Sequence, residues 1–145
     1  MTKSLHYLLM SNHLLFQKEL ISAIKDTDLT SGQPKVLDYL IHNNGAVQKD
    51  IAVACHIEPA TLTSVLLGME NKGLITREMK NGNRRSLYVF LTEKGTALAG
   101  RVKKEFDIIE TAAFNGFTDA EKQQLLIFLS RISDNIDLKG ELLYD

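Results

Sequence analysis

This sequence has little reactive chemistry and no excess of one charge. There is one cysteine, Cys55. A lone thiol cannot close an internal disulfide, so an intracellular, cytoplasmic compartment is the simplest expectation. No apolar run approaches the roughly 18 residues of a membrane span, and no membrane association is expected. The first residues, MTKSLHYLLMSNHLLF, lack a continuous apolar stretch and a small-residue cleavage site, so they do not read as a signal peptide. The histidines are His6, His13, His42 and His56; no two make a close ligand pair, and none follows His56. That argues against a zinc site. Phosphate loops, Gly-x-Ser-x-Gly elbows and paired-ligand metal motifs are all missing, so neither an enzyme nor a cofactor is expected.

A length of 145 residues fits one domain, or one domain with an extension, and can bury a sizeable core without staples. The net charge of −1 gives no hint of nucleic acid by itself. Its distribution says slightly more. Residues 45–95 hold 7 basic and 5 acidic side chains, a balance of +2, which leaves −3 for the rest of the chain. The middle of the chain is the weakly favoured anion-contacting part.

Apolar periodicity gives an order of elements. Residues 3–25 place Leu5, Leu9, Phe16, Leu20 and Ile24 on one helical face, widened by Leu8 and Leu15. After the break at DTDLT, Thr30 and Gln33 have the spacing of a capping box, with Pro34 in the first turn. Val36, Leu37, Leu40 and Ile41 form the buried stripe of this second helix, and HNNG, with Gly45 in a left-handed turn, should end it. A short third helix, about residues 48–56, buries Ile51, Ala52 and Cys55. Glu58 and Pro59 open a fourth, seated by Leu62, Val65, Leu66 and Met69 and closed by Gly73. Two strands, 74–79 and 86–91, flank Asn81-Gly82, a strong hairpin signal. Thr92 caps a fifth helix striped by Leu98, Val102, Phe106, Ile109 and Ala113. Thr118 and Glu121 form a second capping box, and a sixth helix follows with Leu125, Leu129, Ile132 and Ile136.

The expected fold is mainly α with a small β-hairpin wing: a winged helix-turn-helix over residues 30–95. Helices over residues 3–25 and 96–137 flank it, and residues 138–145 form a tail. The outer helices are apolar beyond what one chain of this size can cover. A second copy of the chain is the expected partner, because a twofold dimer is the commonest way to bury such faces.

In order and spacing, nearly the whole chain resembles the multiple-antibiotic-resistance regulator (MarR) family of winged-helix transcription factors. The specific part runs through LTSGQPKVLDYL, QKDIA, PATLTSVLLGMENKGLITR and RRSLYVFLTEKG. It includes Gly73-Leu74-Ile75-x-Arg77, two wing arginines, and Leu91-Thr92-x-x-Gly95. The resemblance implies a homodimer that binds a pseudo-palindromic operator in double-stranded DNA, commonly as a repressor. It also implies release by a small phenolic or other aromatic effector, or by oxidation of a cysteine. The chain departs from the family pattern at Val47, where serine or threonine commonly starts the third helix. It departs also at Ser64 and Gly68, where relatives often carry arginine, and at Lys80 and Gly82, where the wing often reads Asp-x-Arg.

The candidate DNA-binding residues are therefore Gln48, Lys49, Thr61, Thr63, Ser64, Gly68, Lys72, Arg77, Lys80, Arg84 and Arg85. Thr61, Ser64 and Gly68 are spaced i, i+3, i+7 on the side of the fourth helix away from its apolar stripe; hydroxyls there can bond to base edges. The same face could equally be a plain solvated one. Leu67 beside it either contacts thymine methyls or packs on the wing. Arg84 and Arg85 suit a narrow minor groove or phosphates, or else only aid solubility. Lys80 can add phosphate affinity. Arg77 reaches a phosphate or pairs with a carboxylate of its own chain. Gln48 and Lys49 open the third helix, where backbone N–H groups can hold a phosphate. Cys55 reads as core filler. His13, Phe16 and Tyr39 either line an effector pocket or pack as ordinary amphipathic residues. The alternative to a DNA-binding regulator is a winged-helix dimer that has lost operator reading and serves as a protein-interaction or ligand-binding module. The missing charge on the fourth helix motivates it.

Overall fold

The structure, a computed structural model, describes residues 2–80, 82 and 86–137. Six helices and one hairpin follow in chain order: α1 (Leu5–Ala23), α2 (Gln33–Leu40), α3 (Gln48–Cys55), α4 (Pro59–Asn71), β1 (Ile75–Met79), β2 (Leu87–Leu91), α5 (Glu93–Ala113) and α6 (Asp119–Ile136). The strands pair antiparallel, with Ile75 opposite Leu91 and Met79 opposite Leu87. No single helix among the described residues is long and apolar enough to cross a membrane.

The core lies where the stripes of α2, α3, α4 and the first half of α5 converge. Val36, Leu37, Leu40, Ile51, Leu62, Leu66, Met69, Val89 and Val102 are all fully enclosed. Their spacing at three and four residues keeps each set on one helical face. Cys55 is part of this cluster, and its thiol lies 3.6 Å from the Lys35 carbonyl. Burial pushes its pKa up to about 11. It is packed as a small hydrophobe and held in the unreactive thiol form.

Local signals set most of the boundaries. Ser4 and Thr92 cap α1 and α5 by accepting from the backbone N–H of Tyr7 and Gly95. Both halves of the Thr118–Glu121 capping box form, at 2.9 and 3.1 Å. The end of α4 is a Schellman turn. Leu74 N–H donates to Met69 O, Gly73 N–H donates to Glu70 O, and Gly73 sits at φ 74°. The same pattern ends α3, but there the left-handed residue is His56, at φ 53°. Between α3 and α4 the axis turns through 109°, as a helix-turn-helix requires.

Two local expectations are corrected. The Thr30–Gln33 capping box forms only in half. Gln33 Oε1 accepts from the Thr30 N–H at 3.0 Å, but Gly32, at φ 86°, is the residue that caps α2, and no side chain caps it. The second helix ends at Leu40, well before Gly45. Gly45 instead turns the chain onto the hairpin, where its N–H donates to Val89 O at 2.8 Å and the Phe90 ring covers its Cα. Val47 then bridges Tyr88, adding a short third rung beside β2. The Asn81-Gly82 turn expected at the tip of the wing lies outside the described residues at Asn81. The described register ends with Met79 opposite Leu87, and Gly82 has the positive φ expected of it.

The outer helices behave differently from the core. Only Leu20 of α1 is buried, and no residue of α6 is. Leu5, Leu8, Leu9, Leu15 and Ile21 of α1 are exposed, as are Leu125, Leu126, Ile127, Phe128 and Leu129 of α6. The α1 stripe read from the sequence is therefore covered by this chain only at its C-terminal end. There Arg101 of α5 pairs with both Asp26 carboxylate oxygens at 2.6 Å and donates to Ala23 O at 3.0 Å. That guanidinium holds the Asp26 carboxyl below its ordinary range.

Candidate nucleic-acid interface

Helix α4 sits on the core through Leu62, Leu66 and Met69, which fixes the face it turns to solvent. Ala60, Thr63, Ser64, Leu67 and Asn71 are exposed, and their spacing of three and four residues makes one stripe. Thr61 is exposed too, but it lies to one side. It borders a shallow depression shared with Ser31, Gly32, His56, Glu58 and Val65.

Gly68 does not belong to the outer stripe, which corrects the sequence reading. A side-chain carbon there would lie 2.9 Å from the Gln33 Nε2 atom. The glycine lets α4 approach the start of α2 closely. Gln33, 2% exposed, is the buried polar residue at this contact. Sequence reasoning used it only as half of a cap. It shares the i, i+3, i+4, i+7 spacing of Val36, Leu37 and Leu40, which was the available sign that it faces inward.

Lys72 is also drawn inward. Its ammonium donates to Gln33 Oε1 at 2.8 Å and to the Asp28 carbonyl. Arg77 makes a two-pronged pair with Glu70, at 3.2 Å on each oxygen. The structure thus places Arg77 against a carboxylate of its own chain. The guanidinium holds the Glu70 carboxyl below the usual carboxylate range. Among the described candidates, Lys49 and Lys80 are left as exposed cations. The Lys80 ammonium rests 4.4 Å from the centre of the Tyr88 ring, a cation–π contact that holds it at the root of the wing. Arg84 and Arg85 lie outside the described residues.

Gln48 links the two helices of the motif. Its Nε2 donates to Thr63 Oγ1 at 3.2 Å, and the Thr63 hydroxyl donates to Pro59 O at 3.1 Å. Gln48 Oε1 is buried with no partner among the described residues. Val47 caps α3 with its backbone alone.

The proposed effector residues are not gathered. His13 is exposed on α1 and lies 3.5 Å from Gln17, Phe16 is half-buried, and Tyr39 packs on the core. None of them lines the cavity of about 340 Å³ between the C-terminal end of α1, the segment leading into α2, and α5. Leu20, Ile24, Leu29 and Phe106 supply its apolar wall; Lys25 and Lys35 also line it. Sequence reasoning missed it because its walls come from three separate segments. No cluster of histidine, cysteine or carboxylates suited to a metal occurs among the described residues.

A helix-turn-helix with its second helix turned outward and a hairpin beside it defines a winged helix-turn-helix protein. The MarR family model matches residues 29–87. The chain is 32% identical over 104 residues to the transcriptional regulator HosA of Escherichia coli O157:H7, covering 72% of this chain and 76% of that one. It is 29% identical over 117 residues to the HTH-type transcriptional regulator YybA of Bacillus subtilis (strain 168), covering 81% and 78%. A MarR-family regulator from Listeria monocytogenes, solved in complex with a 26mer DNA, superposes with a TM-score of 0.85 at 26% identity, over 97% of this chain and 93% of that one. The chain belongs to the MarR family of transcriptional regulators, which are not enzymes.

Proposed function

We propose that the chain is a homodimeric, sequence-specific DNA-binding regulator. It represses from a pseudo-palindromic operator and is released by a small aromatic ligand. The observation that carries this reading is the outward stripe of α4 beside the wing, in a chain whose α1 and α6 expose apolar faces. Residues 30–95 form the DNA-binding region. Helices within 3–25 and 96–137 form the dimer, and two copies of α4 enter successive major grooves roughly 34 Å apart. Thr61, Thr63 and Ser64 meet the bases or their flanks. Lys49, Lys80, Arg84 and Arg85 meet phosphates or the minor groove. The cavity beside α1, α2 and α5 is the effector site this reading favours, in place of one built on His13, Phe16 and Tyr39. Repression is the commoner mode in the resembled family.

Selection from random duplexes tests the central statement. An inverted repeat should be enriched, and its affinity should fall steeply with salt. Binding with no sequence preference would sink it.

The internal pairing of Lys72 and Arg77 favours one second reading: a dimer that has lost operator reading and binds a protein or small ligand. Failure to retain any duplex, together with dimer formation in solution, would select it.

A further inference from the structure

We propose that α4 reads thymine methyl groups, so that each operator half-site carries A·T pairs under the middle of this helix. The inference rests on the DNA-binding reading above and names what that surface recognises.

The chemistry of the outward stripe carries the argument. Guanine is read in the major groove by arginine or lysine donors, and adenine by the paired groups of asparagine or glutamine. Residues 57–71 hold no lysine or arginine, and their one amide, Asn71, sits at the C-terminal end of the helix. In a helix-turn-helix the N-terminal part of the second helix meets the base edges, so Asn71 is badly placed for that work. What remains is apolar or hydroxylic: Ala60, Thr63, Ser64 and Leu67.

Thr63 is more apolar in function than its name implies. Its proton is given to Pro59 O, and one lone pair is occupied by Gln48 Nε2. A hydroxyl has one donor and two acceptor sites, so Thr63 has no hydrogen to offer a base. It keeps its methyl group and one acceptor site. Leu67, one turn further on, is 47% exposed although the core stripe of α4 does not need it. Ala60, Thr63 and Leu67 together present methyl groups at spacings of three and four residues. Thymine is the one base whose major-groove edge offers a methyl in return. Gln48, from α3, holds Thr63 in this state and is thus a positioning residue.

The test begins with the duplex enriched from a random pool by the full-length protein. Each thymine in it is then replaced singly by deoxyuridine, which removes only the 5-methyl group. We expect at least two positions per half-site where the replacement weakens binding roughly fivefold. Thr63→Ser keeps the hydroxyl and drops the methyl; Leu67→Ala shortens the other contact. Each exposed-site variant should abolish the uridine effect at one position and leave the others intact. An enriched duplex indifferent to every uridine replacement, or one with G·C pairs at the centre of each half-site, overturns the thymine assignment and leaves DNA binding standing. Enrichment of no sequence at all overturns both.

Discussion

The ammonium of Lys72, at the end of α4, lies 2.8 Å from the Oε1 atom of Gln33, at the start of α2. The same oxygen accepts the Thr30 N–H, and the amide nitrogen of Gln33 abuts Gly68. One buried amide therefore gathers the loop before α2, the body of α4 and its last cation. A lysine that the sequence offers as a phosphate contact is used to set the position of the helix.

That arrangement separates two roles by salt dependence. Lys72→Met should leave the slope of log affinity against log salt unchanged. Lys49→Ala, which removes an exposed cation, should make it shallower by about one. Lys72→Met should also lower stability by about 1–2 kcal/mol through loss of the hydrogen bonds the ammonium gives Gln33 Oε1 and the Asp28 carbonyl, read as a shifted urea midpoint. A shallower slope for Lys72→Met would assign the lysine to DNA after all.

Gly95 allows the sharpest stability prediction. A Cβ at this position would sit 1.9 Å from the Leu74 carbonyl oxygen, which is backbone and also accepts the Thr92 N–H. Gly95→Ala must push α5 away from the end of α4, and should cost about 3 kcal/mol or more. Chemical denaturation would show it; a midpoint within error of the parent chain would contradict the close approach.

His56 should respond in the opposite direction. It is exposed and occupies φ 53° in the turn between α3 and α4, where a Cβ carries a steric cost that glycine avoids. His56→Gly should stabilise the fold by about 1 kcal/mol. Thermal melting of the two proteins side by side decides this.

The Cys55 thiol titrates near 9.0 when unperturbed and is pushed up to about 11 by burial. Its folded pKa lies above its unfolded one. Its contribution to stability is therefore fully present below pH 9, and is lost as pH rises through the folded value near 11. Cys55→Ala should flatten that alkaline loss. In the parent chain near neutral pH, thiol-specific reagents should label Cys55 only as fast as the fold opens.

The faces of α1 and α6 predict assembly. Leu125→Asp combined with Leu129→Asp places two charges on a helix with no buried residue in its own chain. Sedimentation should shift from dimer to monomer, while the helix-turn-helix core is untouched. A parent chain already monomeric at micromolar concentration would be false to the proposed assembly.

How far these features were readable depended on distance along the chain. Thr118 with Glu121, Pro59 at the start of α4 and Gly73 at its end act through neighbours a few residues away. Their patterns identify them without a fold. The partner of Arg77 was open in the sequence because a guanidinium donates equally well to a phosphate or a carboxylate. Gly68 was misplaced because helical spacing locates a residue on its own helix but not the helix packed beside it.

The sequence by itself determined the order of helices and hairpin and the apolar stripes, since periodicity, caps and turn residues are local properties. Tertiary structure decided which polar groups are paired within the chain and which stay exposed. Lys72 meets Gln33 across 39 residues and Asp28 across 44. The wing's register, the cavity beside α1 and the burial of Gln33 likewise join distant segments. Charge pairing, close approach and enclosure depend on through-space distances of a few ångströms, which only packing of the whole core sets.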